Sequence, residues 1–119
     1  MSVLVAAITM IILDSIYLTI TKSYYNNQVR LIQGSGIQLK LVPTVLTYIV
    51  LVFGLYYIIL RNKRPIKEAI LLGFVIYAVF ELTNMAIFNK WSATSVVLDT
   101  LWGSILFGTT TYVVYYFNK

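Results

Sequence analysis

Four long apolar segments, separated by short polar stretches, make up most of the chain. They cover residues 3–21, 41–60, 69–88 and 94–117. Each holds about 20 residues, the length that an α-helix rising 1.5 Å per residue needs to cross a hydrocarbon core about 30 Å thick. The pattern predicts an all-α integral membrane protein, a single membrane domain over residues 1–119 built as an up-and-down bundle of four helices.

The polar stretches between the spans carry the cations that orient the protein. Because four spans joined by short connections alternate in direction, both termini and the turn at residues 61–67 are expected on one face. Cations concentrate in that turn, and such turns usually stay on the cytoplasmic side. Both termini are therefore predicted on the cytoplasmic or interior side. The cations of the turn, predicted to contact lipid phosphates or a protein partner, are Arg61, Lys63, Arg64 and Lys67.

The connection at residues 22–40 and the ends of the spans are rich in tyrosine. Residues 23–33 are predicted to form a short surface helix that Gly34-Ser35-Gly36 ends, with an ordered loop as the alternative. Aromatic rings near span ends are typical of anchors at the membrane surface. The residues with this prediction are Tyr24, Tyr25, Tyr56, Tyr57, Trp91, Tyr112, Tyr115 and Tyr116.

Composition supports a membrane setting and narrows the chemistry. The chain is 60% hydrophobic and 11% charged, against roughly 45–50% and 25% in soluble domains. It has no Cys and no His, which excludes disulfides, thiolate metal sites, a cysteine nucleophile and the commonest general base. The net charge of +5 comes from cations beside the spans, where they meet lipid phosphates. No nucleic-acid partner, cofactor or catalytic residue is expected.

Three of the four acids lie inside the predicted spans. Each is eight or nine residues from a Lys at one membrane face, which places all three about 12–14 Å below that face. These acids are Asp14, Glu81 and Asp99. Tyr48 falls at the same level in the one span that has no acid. Carboxyl groups at this depth cost about 2.5–3.5 kcal/mol on insertion scales and usually face the bundle interior.

Helical spacing gives each acid polar or small neighbours on its own face. Tyr17, Tyr77, Asn84 and Trp102 each lie three or four residues from an acid, close enough for contact on one helix. Thr100, Ser104 and Gly108 form a small-residue stripe that allows close packing of another helix. The predicted intramembrane polar cluster is Asp14, Tyr17, Tyr48, Tyr77, Glu81, Asn84, Asp99 and Trp102.

No Lys or Arg lies within the spans, so the acids must be compensated in another way. They can share protons, hold a cation, line water or accept hydrogen bonds from Tyr, Trp, Asn and Thr. Hydrogen bonds that join the helices are the simplest interpretation. A metal site is left open.

Three short motifs around these acids resemble the signatures of a known family. They are LDSIYL at residues 13–18, YAVFELTN at residues 77–84 and LDTLWG at residues 98–103. The family consists of small predicted four-span membrane proteins of unknown function, found in bacteria and in some large DNA viruses. The resemblance covers nearly the whole chain and implies an integral membrane protein. The chain departs from the pattern with Glu81 in place of the usual Asp and Tyr17 in place of a frequent Trp, and the longer acid argues against a strict metal geometry.

Three functions are compatible with these features. The first is a structural or assembly component of a membrane, such as a viral inner membrane, with a second copy or neighbouring membrane or capsid proteins as partners. The alternative is a proton- or cation-handling transporter or channel that uses the acid cluster. The third is a lipid-modifying or lipid-binding protein, which the missing His and Cys and the depth of the acids make the least favoured.

Overall fold

The computed structural model describes residues 2–34 and 40–117, and they form four helices. The helices are α1 (Ser2–Gln33), α2 (Leu41–Leu55, continued by a π-helical turn at Tyr56–Leu60), α3 (Ile66–Ile87) and α4 (Ala93–Phe117). No strand occurs in the described ranges. The predicted all-α bundle is confirmed.

Helices α3 and α4 form an antiparallel hairpin with the closest helix packing in the molecule. Gly73 of α3 faces Gly103 of α4, and Ile70 faces Gly108, so the residue numbers fall along one helix as they rise along the other. A Cβ atom at Gly73 would collide with the carbonyl group of Gly103. Glycine is therefore required at this crossing, where the two backbones nearly touch.

Helix α1 packs antiparallel to α4 along much of its length. With 32 residues it is about 48 Å long at 1.5 Å per residue, well beyond the roughly 30 Å of a hydrocarbon core. Residues 23–33 are helical, as predicted. The prediction that they form a separate surface helix is wrong, because this segment continues α1 without a break. Gly34 ends the helix in the left-handed conformation, with φ 79°; Ser35 and Gly36 lie outside the described residues.

Helix α2 packs against α1 and leaves the side toward α3 largely open. At its end the helix widens into a π-helical turn, in which the amide of Arg61 donates to the carbonyl of Tyr56 at 2.8 Å. The hydroxyl of Tyr115, from α4, donates to the carbonyl of Arg64 at 2.6 Å. This contact attaches the turn after α2 to the last turns of α4, which the apolar pattern of residues 41–60 did not reveal.

Helix α4 is the most enclosed of the four. Its buried side chains include many small or polar ones, among them Ser95, Thr100, Thr110 and Thr111. Three helices in the described part of the chain are long and apolar enough to cross a membrane: Val3–Gln33, Leu41–Leu60 and Ile66–Ile87. Helix α4 is long enough to cross a membrane, but the mean hydropathy of its most apolar stretch is lower than in the other three. It carries small polar residues that pack against protein.

Candidate functional site

Asp14 connects three helices. Its Oδ1 accepts a hydrogen bond from the indole Nε1 of Trp102 in α4 at 2.9 Å. Its Oδ2 accepts a hydrogen bond from the hydroxyl of Tyr48 in α2. Two donors from two other helices thus compensate a carboxyl group that α1 carries into the bundle.

Glu81 and Asp99 form a second carboxyl site, between α3 and α4. Glu81 is only 1% exposed, and its carboxyl group lies close to that of Asp99. The indole of Trp91 donates to Glu81 at 2.9 Å, and the hydroxyl of Tyr17 donates to Asp99 at 3.3 Å.

Tyr17 and Trp102 join the two carboxyl sites into one network. Their rings stack with centroids 4.6 Å apart and an interplanar angle of 2°. The Tyr17 hydroxyl donates to Asp99, and the Trp102 indole donates to Asp14. The Tyr17 hydroxyl is also bonded to that of Tyr25 at 2.9 Å, which extends the network toward the end of α1.

Six of the eight side chains predicted for the polar cluster lie in this network. Tyr77 is placed differently: its ring packs against Gly103, in the space where a Cβ atom would lie, and meets Phe107 edge to face. Asn84 is half-buried, and within residues 2–34 and 40–117 no hydrogen bond joins it to the three acids. Helical spacing places both residues near Glu81 but does not determine how their side chains pack.

A second polar cluster, at the α3–α4 turn, escaped the sequence analysis. The amide of Gln28, a residue only 6% exposed, donates to the carbonyl of Lys90 and accepts from the backbone N–H of Ser92 at 3.3 Å. The Tyr24 hydroxyl is bonded to the hydroxyls of Ser92 at 2.7 Å and Ser95 at 2.8 Å. The late part of α1 therefore holds the start of α4 in place.

One signal for this cluster was present in the sequence. Ser92 is three residues before Ser95, the spacing of a helix N-cap, and the amide of Ser95 donates to the Ser92 hydroxyl at 3.1 Å. Tyr24 and Gln28 are four residues apart on α1 and so share a face. Tyr24, Tyr25 and Trp91 also hydrogen bond within the protein, and their role as membrane-surface anchors stays a prediction.

The small-residue stripe of α4 is used for packing inside the bundle. A Cβ atom at Gly108 would lie 2.6 Å from a side-chain carbon of Ile70, so α3 covers this position. Thr100 is buried and its hydroxyl has no hydrogen-bond partner, and the same holds for Thr110. The packing interpretation of the stripe therefore agrees with the geometry.

The basic turn is partly neutralised within the chain. Arg64 forms two hydrogen bonds to Glu68, at 3.0 and 2.8 Å. The guanidinium carbon of Arg61 lies 4.0 Å from the centroid of the Tyr57 ring. Lys63 is exposed and has a left-handed backbone with φ 52°. Lys67 is exposed as well, so Lys63 and Lys67 are the cations best placed for an external anion.

The carboxyl network provides hydrogen-bond acceptors, and within the described residues it does not form a metal site. Among the residues described, no three acids come close enough to hold a metal ion. Asp14 is hydrogen bonded to Trp102, whereas Asp99 is hydrogen bonded to Tyr17, whose ring is stacked on that of Trp102. The level along the membrane that the three acids share therefore does not make them one ligand set.

Comparison with known proteins supports the membrane assignment. Residues 1–116 match the family described as predicted membrane protein DUF2177. The chain belongs to the DUF2177 family. Neither the curated proteins nor the solved structures contain a match. DUF2177 proteins are described as membrane proteins, in agreement with the apolar helices of this chain.

Proposed function

We propose that this protein is a structural component of its membrane, a compact bundle in which buried carboxyl groups fix the packing of the helices. The observation that supports the proposal is that side chains from all four helices meet at the buried carboxyl groups. Asp14 of α1 accepts from donors of α2 and α4, and Glu81 of α3 lies beside Asp99 of α4. In lipid, hydrogen bonds of this kind specify which helices pack together and in what register.

The proposal extends to assembly with other proteins. Lys63 and Lys67, at one end of the bundle, are exposed cations suited to the phosphates of lipid or to an acidic face of a neighbouring membrane or capsid protein. A second copy of the chain is another candidate partner. Chemical cross-linking of the native membrane or of purified viral particles tests this part, and recovery of a monomer alone would contradict it.

Reconstitution into liposomes tests the main proposal. We expect Asp14→Asn and Glu81→Leu to lower resistance to unfolding by denaturing detergent, because the first replaces an acceptor oxygen by an amide donor and the second leaves the Trp91 indole without its acceptor. Glu68→Gln is the control, since Glu68 bonds to Arg64 outside the network. Equal stability of the parent and both network variants would overturn the proposal.

A second candidate function, proton handling, is favoured by one specific feature. The carboxyl pair is continued by two hydroxyls, from Asp99 to Tyr17 and from Tyr17 to Tyr25. Toward the opposite face, the bundle is closed by the fully buried side chains of Met10, Leu55 and Phe107. This arrangement favours exchange of a proton between the carboxyl pair and one face over conduction across the membrane.

Flux and infrared measurements separate the two candidates. Under a structural role, liposomes with the parent protein carry protons no faster than empty liposomes. Under proton handling, the parent is faster, and Asp99→Asn abolishes the difference. Infrared bands of the carboxyl groups, followed through pH with Tyr17→Phe and Tyr25→Phe, report whether the hydroxyls govern proton exchange at the carboxyl pair.

A further inference from the structure

A cleft opens on the side of the bundle where α2 and α3 do not pack together. Its volume is about 210 Å³, and three helices form its walls. The lining residues are Thr47 and Leu51 of α2, Ile76, Tyr77 and Phe80 of α3, and Asp99 of α4. Since these helices carry apolar residues outward, the opening of the cleft faces the lipid tails.

Asp99 is the one charged residue in the wall of this cleft. It is half-buried, whereas Glu81, its carboxyl partner, is almost fully buried. One of its oxygens accepts a hydrogen bond from Tyr17. A carboxylate has about four lone-pair sites, so Asp99 retains capacity for a group that enters from the lipid.

The charge of this acid pair is not balanced by any cation of the described residues. The ion pair that the described residues form joins Arg64 to Glu68, and it lies in the basic turn at the other end of the bundle. Within residues 2–34 and 40–117, no salt bridge reaches the carboxyl group of Asp99 or Glu81. The cleft thus combines apolar walls with an uncompensated negative charge.

We propose that this cleft binds a lipophilic organic cation, with Asp99 as its counter-charge. A cation with delocalised charge and apolar substituents reaches this depth at lower cost than a compact ammonium group. The rings of Tyr77 and Phe80 offer aromatic surface in the cleft, and aromatic faces attract cations. A hydrated metal ion fits poorly, because one carboxyl group and apolar walls replace few of its water ligands.

Binding is expected to depend on pH through the carboxyl pair. Protonation of Asp99 removes the negative charge that would attract the cation, so acidification weakens binding. The ionisable side chains around Asp99 come from two helices: Asp14, Tyr17 and Tyr25 of α1, and Tyr77 and Glu81 of α3. From α2, the cleft is lined by the uncharged Thr47 and Leu51, and Tyr48 is hydrogen bonded to Asp14.

The test measures binding of tetraphenylphosphonium to the full-length protein in nanodiscs of phosphatidylcholine, with empty nanodiscs as the reference for partition into lipid. We expect saturable binding near one cation per chain, weakened at least tenfold by Asp99→Asn and progressively lost on acidification. Glu68→Gln is the matched control, and its affinity is expected to stay within twofold of the parent. Equal binding by the parent and Asp99→Asn overturns the proposal.

A second pair of variants keeps the test decisive if Asp99→Asn does not fold. Thr47 is exposed at the wall of the cleft, so Thr47→Trp fills the cleft without a change in the carboxyl pair. Val45 is 47% exposed on the same helix and does not line the cleft, so Val45→Trp is its control. We expect Thr47→Trp to lose binding and Val45→Trp to keep it.

Two further outcomes count against a cation site. If the two tryptophan variants bind equally, the cleft is not where the cation binds. If an uncharged long-chain alcohol displaces tetraphenylphosphonium as well as a second cation does, the cleft is an ordinary lipid groove. Neither result affects the role of the carboxyl network in packing, which is measured by stability.

Discussion

The ring of Tyr77 occupies the space beside Gly103 where any other residue would carry its Cβ atom. A Cβ there would lie 2.7 Å from that of Tyr77 and closer still to its ring. The contact lies within the α3–α4 hairpin, one turn from the Gly73 crossing. A glycine on one helix and an aromatic ring on the next thus set the distance between the two helices.

Gly103→Ala is expected to destabilise the protein by about 1–3 kcal/mol, because the added methyl group forces Tyr77 or the helix to move. Unfolding in bicelles by steric trapping measures the effect. Gly54→Ala is the control: nothing lies within 4 Å of a Cβ at that position, and alanine favours a helix over glycine by up to about 1 kcal/mol. Equal stability of the two variants would show that the hairpin is not limited by this contact.

A double-mutant cycle on Asp14 and Tyr48 measures the bond between α1 and α2. We expect a coupling energy of about 0.5–2 kcal/mol, the range of hydrogen bonds between membrane helices. The cycle uses Asp14→Asn and Tyr48→Phe, with unfolding free energy as the readout. Tyr57→Phe with Asp14→Asn is the control cycle, since Tyr57 is exposed beside Arg61, and its two effects should add.

Gln28→Ala is expected to loosen the α3–α4 turn. The change removes the partner of the Lys90 carbonyl and of the Ser92 amide, at a cost of about 1–3 kcal/mol for the groups left unpaired. Hydrogen exchange of the amides at residues 88–96, read by mass spectrometry, should become faster. Asn27→Ala changes an exposed neighbour, and the same loss of protection in that variant would contradict the role assigned to Gln28.

Single cysteines can establish the direction of each helix, because the chain has none of its own. In the up-and-down arrangement, Lys63→Cys and Tyr116→Cys are labelled by an impermeant maleimide from one side of the membrane and Asn89→Cys from the other. Because positively charged turns favour the cytoplasmic side, we expect Lys63→Cys and Tyr116→Cys to be labelled from that side. Labelling of Asn89→Cys and Tyr116→Cys from the same side would mean that α4 does not cross.

Sequence pattern alone predicted the four helices, except for the extension of α1, and a common level for the three acids, since both depend on position along the helix axis. Counting residues at 1.5 Å each places Asp14, Glu81 and Asp99 at one depth. Counting does not give the direction in which each side chain points around the bundle. This direction gives Asp14 different partners from those of Glu81 and Asp99. That direction depends on how the helices pack against one another, and a single helix does not determine it.

Two other features depend on contacts between distant parts of the chain. The continuation of α1 beyond Lys22 is stabilised by Gln28 and Tyr24, whose partners lie more than 60 residues away along the chain. The polar composition of this part of α1 is typical of a loop or a surface helix. The π-helical turn at Tyr56–Leu60 lies in an unbroken apolar run, so hydropathy gives no sign of it.

The polar interior of α4 has a consequence for the way the protein is made. The other three helices are apolar enough to enter a bilayer individually, whereas α4 would expose Asp99 and several hydroxyls to lipid if it entered alone. Since α3 is made just before it and the α3–α4 turn is short, we expect the two to enter the membrane together as a hairpin. Helix α4 would thus depend on its predecessor for a place in the membrane.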